Sequence, residues 1–264
     1  MLLDRLISFA KRWEDPKSPL LGPNLKALHL FGLWKTDIRV RSTLLIIVVV
    51  FVITQIIDLY LSREDINKAL CNFSLTTLSV ICIAKSYSLI VHPVLWKKLV
   101  ENISQEEATQ IKKQNPETLS VIGNYTRYSR FISYTYWIMV AMTNFALIVA
   151  PLIRYLTVLK YREDIANGIE RYPHIINSWF PFDDNAMPGY VYASAIQIIM
   201  SIVGSGSLAA YDTTAFAIMI FMKGQLIILK NNCKELFRWE TKENNIEFFA
   251  KIKECHRHHD FLKR

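Results

Sequence analysis

The amino-acid sequence predicts an all-α, polytopic membrane protein with four spanning helices and a cytoplasmic N-terminus. Three observations carry that prediction. Hydrophobic residues make up 52% of the chain and charged residues only 20%, where a soluble domain usually carries ~25% charged residues. The apolar residues gather into long charge-free runs, which the bilayer demands and a soluble core does not. Finally, the basic residues of the segments between those runs alternate between many and few, the mark of a fixed orientation. The net charge of +8 therefore points to lipid headgroups and membrane orientation, with no nucleic-acid partner.

The N-terminal segment, residues 1–41, opens without a signal peptide, because Asp4 and Arg5 break any apolar core. Leu2, Leu3, Leu6, Ile7, Ala10 and Trp13 recur at helical spacing beside Lys11 and Arg12. That pattern is an amphipathic helix at the headgroup level or a packed cytosolic helix. Residues 42–229 form the membrane domain. The first span, 42–61, includes an unbroken run from Leu44 to Ile53 that is too apolar all round for a surface helix. The second, 69–95, carries Ser74, Thr76, Thr77, Ser79, Lys85 and Ser86, polar groups that lipid cannot satisfy and that face other helices or a cavity. Lys85 is expected to snorkel toward the cytosol, with a buried partner as the alternative. The third span, 131–153, contains no charged residue. The fourth begins near residue 190 and runs to 229, far beyond the ~20 residues needed to cross, so it is expected to project into the cytosol. Asp212 interrupts it and is expected to face cytosolic water or pair with another helix. Residues 230–264 form a cytoplasmic segment.

Residues 1–41 carry eight Lys and Arg, 62–68 two, 97–130 six, 154–185 four and 223–264 ten. The alternation places the N-terminus, the second connection and the C-terminal segment in the cytoplasm. The three N-x-[ST] sequons, at Asn72, Asn102 and Asn124, fall against the membrane or on the cytoplasmic side and are expected to stay unmodified. Cys71, Cys82, Cys233 and Cys255 are too scattered for a disulfide framework. Cys255, His256, His258 and His259 offer metal-ligating atoms, but adjacent histidines project in different directions on a helix. No metal or other cofactor is expected there, only a solvated cytosolic helix.

Four strings resemble the insect odorant receptor family. Leu28-His29-Leu30-Phe31-Gly32-Leu33-Trp34 resembles its Gly-x-Trp element before the first helix. Trp179-Phe180-Pro181-Phe182-Asp183, with Tyr190 and Gln197, resembles its approach to the fourth. Tyr211-Asp212-Thr213-Thr214-Ala215-Phe216 and Gly224-Gln225-Leu226-Ile227-Ile228-Leu229 resemble the long fourth helix, and Cys255 to Leu262 the stretch before the fifth. The resemblance implies a seven-helix bundle of inverted topology in the plasma membrane, of which this sequence carries four spans and stops before the last three. It further implies a cation channel, formed with an odorant co-receptor subunit, that opens when a small volatile odorant binds.

The resemblance implies a pocket in the outer half of the bundle, among the second, third, fourth and sixth helices. Such a pocket is mostly apolar with few directional polar groups. The expected lining residues are Phe73, Thr76, Thr77, Val80 and Ile81 on the second helix and Met142, Phe145, Ala146 and Val149 on the third. On the fourth they are Ala193, Ile196, Gln197, Met200 and Val203. Met142 and Met200 would adapt to ligand shape; Thr77 and Gln197 would supply hydrogen bonds. One alternative is a gustatory-type receptor of the same superfamily, whose mark lies in a helix beyond this sequence. Another is a four-span scaffold or transport subunit, but residues 154–185 lack paired cysteines and the halves show no repeat. No H-E-x-x-H, G-x-S-x-G or P-loop is present, so an enzyme is not expected.

Overall fold

A computed structural model describes residues 18–34, 36–167, 171–239 and 245–263. The amphipathic helix expected over residues 1–13 lies outside them. The described residues form α1 (Gly22–Leu30), α2 (Ile38–Leu61), α3 (Ile66–Val91), α4 (Pro93–Lys112), α5 (Pro116–Thr157), α6 (Leu159–Ala166), α7 (Gly189–Trp239) and α8 (Asn245–Lys263), with no strand among them. Of these, α2, α3, α5 and α7 are long and apolar enough to cross a membrane, the four that the apolar runs predict.

Helix ends follow local chemistry. Asp37 and Asp65 accept hydrogen bonds from Arg39 N (3.4 Å) and Lys68 N (3.2 Å) and so cap α2 and α3. Pro93 and Pro116 open α4 and α5, where a missing N–H is harmless. Pro93 also stops α3 at Val91, because the residue before a proline is driven out of the helical region. The second span therefore ends short of the expected residue 95. Conversely, α5 starts at Pro116, well before the expected residue 131, so much of the 97–130 connection is helix. The 51 residues of α7 extend about 76 Å, against a hydrocarbon thickness of about 30 Å, and run past the expected residue 229.

The chain divides into two compact units: the described residues of Met1–Asn24, Lys97–Tyr134 and Thr213–Arg264, and those of Leu25–Trp96 and Thr135–Asp212. In the first, Gln110 on α4 and Gln225 on α7 exchange side-chain hydrogen bonds of 2.6 and 2.9 Å. His258 Nε2 on α8 sits 2.8 Å from Gln225 Oε1. Glu107 accepts from Leu20 N and Tyr125 Oη (3.4 and 3.3 Å), and burial pushes its carboxyl above the usual range. The solvated helix expected at Cys255–His259 is corrected here, because Cys255 and His258 are buried, while His256, Arg257 and His259 are exposed.

In the second unit Phe31 stacks on Trp137, centroids 5.8 Å apart, and its ring occupies the place of a side chain at Gly206. A Cβ there would lie 2.0 Å from Phe31 Cζ. Only glycine lets the α7 backbone approach this ring. Asn72 on α3 donates to Asp58 Oδ2 (2.7 Å) and the Gln55 carbonyl (3.4 Å) on α2, while Thr76 donates to Asn72 Oδ1 (2.9 Å). Cys82 donates to the Gly204 carbonyl on α7 (3.4 Å). Replacing Gly206 by leucine should displace Phe31 and lower stability by about 1–3 kcal/mol, read as a lower melting temperature of the detergent-solubilised chain. Phe31→Ala should partly rescue Gly206→Leu.

Candidate ligand site and polar contacts between helices

All the residues expected to line a pocket fall in the unit built from Leu25–Trp96 and Thr135–Asp212. On α3 only Thr76 is buried; Phe73, Thr77, Val80 and Ile81 lie on the exposed side. On α5, Met142 and Phe145 are 68% and 69% exposed, Ala146 is exposed and Val149 half-buried. On α7, Ala193 and Gln197 are buried completely, Met200 and Val203 are half-buried and Ile196 is exposed. The structure thus brings Thr76, Ala193 and Gln197 into the interior and leaves most of the others outside it.

Gln197 holds the connection between α6 and α7. Its Oε1 accepts from Ile175 N (3.1 Å) and Ile176 N (3.5 Å). Its Nε2 lies 3.1 Å from Ser178 Oγ and 3.3 Å from His174 Nδ1. Trp179 N donates to the Thr54 carbonyl of α2 (3.1 Å), fixing the strap at its far end. Because Gln197 Nε2 is a donor, His174 Nδ1 must accept, which places the ring proton on Nε2, 3.4 Å from Asp184 Oδ2. Burial holds the His174 pKa below its ordinary value, although the carboxylates of Asp184 and Asp58 oppose that shift.

Nearer the middle of α7, Ser201 donates its hydroxyl to Asn144 Oδ1 on α5. Further along, Asp212 bridges two helices: Oδ1 is 2.6 Å from Lys85 Nζ on α3 and Oδ2 accepts from Tyr136 Oη on α5 at 3.0 Å. The Lys85 ammonium also lies 5.8 Å from the Tyr211 ring centre. Lys85 was expected to snorkel, with a buried partner as the alternative, and Asp212 to face water or pair with another helix; the structure takes the pairing alternative for both. In an apolar surrounding, two opposite charges within reach gain more from each other than from a stretched path to water. Tyr136, Asn144, Ser201 and His174 were not anticipated. Asn144 carried a signal all the same, as the one amide among the uncharged residues 131–153.

In the other unit a polar cavity of about 280 Å³ is lined by residues that include Glu106, Lys113, Glu254, Arg257 and His258. Its charges pair among themselves, Lys113 with Glu254 and Arg257 with Glu106, so it offers no unbalanced field to a charged ligand. His256, His259 and Asp260 approach one another on the outside of α8, and all three are exposed.

A family model described as 7tm Odorant receptor matches residues 65–262. The chain belongs to that family. It is a multi-pass membrane protein of the odorant receptor family, with the helical fold that membership requires. Its fold is similar to the structure of the insect olfactory receptor OR5 from Machilis hrabei in complex with eugenol, with a TM-score of 0.62 and 15% identity over 83% of this chain and 53% of that one. The chain thus spans about half the length of that receptor. No match to a curated protein was found.

Two outcomes follow from these contacts. Lys85→Leu or Asp212→Leu alone should destabilise the detergent-solubilised chain by an amount near the lower end of about 3–5 kcal/mol, since the side chains keep 30% and 19% exposure. The double variant should recover most of the loss in the same thermal melt; an additive double variant would show that the pair is not coupled. For the strap, the His174 pKa lies below the ordinary value of about 6.5. Its bonds are therefore fully present above that value and are lost as pH falls through the folded-state pKa. Hydrogen-exchange protection of Ile175 and Ile176 should fall on acidification, and His174→Gln should flatten that dependence.

Proposed function

We propose that the chain is the ligand-binding part of an odorant receptor subunit, taking small volatile molecules between the outer portions of α3, α5 and α7. The match of the odorant receptor model across residues 65–262 carries this reading. The eugenol bound to the structurally similar Machilis receptor supports a small, mostly apolar ligand. Of the residues expected from the sequence, Thr76 and Ala193 reach the interior and form the inner wall of this pocket. In the whole receptor the subunit assembles with an odorant co-receptor in the plasma membrane and gates a cation channel. Its N-terminus lies in the cytoplasm, the side to which the basic residues of 1–41, 97–130 and 223–264 point.

The test is a calcium-influx assay in cells producing the chain with an odorant co-receptor, against a panel of volatiles that includes eugenol. A dose-dependent response to some of the panel, absent from cells with co-receptor alone, is expected. Silence across the panel despite surface-labelled chain would overturn the channel assignment. An N-terminal epitope tag should be reached by antibody only after permeabilisation; labelling of intact cells would reverse the orientation.

A further inference from the structure

We infer that Asn144 and Ser201 form the polar end of the ligand site and select volatiles carrying a hydrogen-bond acceptor (a ketone, aldehyde or ester) over hydrocarbons of the same shape. This inference rests on the odorant-binding reading and names the ligand class of that site.

Ser201 is buried on α7 and gives its hydroxyl proton to Asn144 Oδ1 on α5. That bond fixes which way the amide faces. The carboxamide oxygen accepts the serine proton on one of its lone pairs, and the two N–H bonds of half-buried Asn144 find no acceptor among the described residues. A carboxamide has two donors to place, and lipid tails offer it no acceptor. A ligand that supplies one gains a bond that neither lipid nor hydrocarbon can provide.

The surroundings on α7 define the rest. Ser194, Gln197 and Ser201 share one face, at spacings of three and four residues. Gln197 is fully engaged by the strap and has nothing left for a ligand. The Ser194 hydroxyl is buried and makes no hydrogen bond. One turn beyond Ser201, nothing lies within 4 Å of the place a Gly204 side chain would take, so α7 is open at that turn. Beside Ser201 the donors left for a ligand are thus the N–H bonds of half-buried Asn144, with the buried Ser194 hydroxyl two turns away on α7. That arrangement rewards an acceptor oxygen and gives no counter-charge to an ionised ligand.

The experiment measures dissociation constants by saturation-transfer NMR on the full chain in lipid nanodiscs, with empty nanodiscs as blank. The probes are ketone and alkene isosteres of increasing length, such as 2-heptanone and 2-methyl-1-heptene. The ketone of a bound pair should bind about three- to tenfold more tightly, the worth of one hydrogen bond. Asn144→Leu should erase that ratio and leave alkene binding intact, so the alkene doubles as the control for folding. Should that variant lose both partners, Ser201→Ala decides: freeing the amide oxygen should reduce the ratio without abolishing alkene binding. A ratio near one in the native chain, or one unchanged in both variants, overturns the selection by Asn144 while leaving odorant binding in place. If no ketone or alkene binds saturably, the odorant-binding reading fails and this inference with it.

Discussion

The contact on which the second unit depends is the one between Lys85 and Asp212. A charge on an apolar helix has few tolerable surroundings, and each removes a degree of freedom from the helix that bears it. Bringing Lys85 Nζ to 2.6 Å from Asp212 Oδ1 fixes the rotation of α3 and α7 together, and Tyr136 on the second carboxylate oxygen adds α5. Part of the remaining inward surface then follows from helical geometry. On α3 the face of Lys85 continues through Cys82 and Leu89. Asn72 and Thr76 lie on another side, buried by the bonds of Asn72 to α2 and of Thr76 to Asn72, and Phe73, Thr77 and Val80 turn outward. On α7, Ser201 lies eleven residues before Asp212, almost a whole number of turns, so it faces the same way and meets Asn144.

Close approach of these helices needs small side chains as well as charge. In lipid the hydrophobic effect gives little reason for one apolar helix to prefer another over acyl chains, so dispersion contacts and hydrogen bonds decide. The middle of α7 supplies both. Gly206 admits the Phe31 ring, Gly204 presents a carbonyl to Cys82, and Ala209 and Ala210 are wholly buried. The stacked pair Phe31–Trp137 joins the turn after α1 to α5, and Gly32, at φ 71°, makes that turn in a conformation open to glycine.

The four spans were legible because their signal is summed over twenty residues and no soluble alternative explains it. Helix rotation was not legible, because Leu, Ile, Val and Phe surround each span and any face reads as apolar. The pairing that settles rotation joins positions 127 residues apart in the chain, and no local pattern records it. Met142 and Phe145 show the consequence: chosen for depth, they are 68% and 69% exposed. Boundaries divided the same way. Pro93 announces the stop of α3 to anyone reading its steric effect, whereas residues 117–130 are too polar to register as a span and yet contain no proline to end a helix.

Three of the amides in the helices of this unit, Gln55, Asn144 and Gln197, show why a polar residue in a span cannot be assigned a role from its type. Gln55 is fully buried on α2 with neither side-chain polar atom hydrogen-bonded. Gln197, expected as a ligand-facing group, is saturated by a strap that the sequence does not mark as its partner. Asn144 uses one of its four hydrogen-bonding positions. A buried amide takes the nearest complementary group whatever its origin, and backbone N–H groups of a neighbouring connection serve Gln197 as well as any ligand would. What distinguishes a structural amide from a recognition amide is therefore the remainder after the protein's own bonds are counted. By that measure Gln197 organises the outer end of α7, Gln55 has capacity left but is wholly enclosed, and half-buried Asn144 keeps donors to which a ligand oxygen brings something the fold does not already supply.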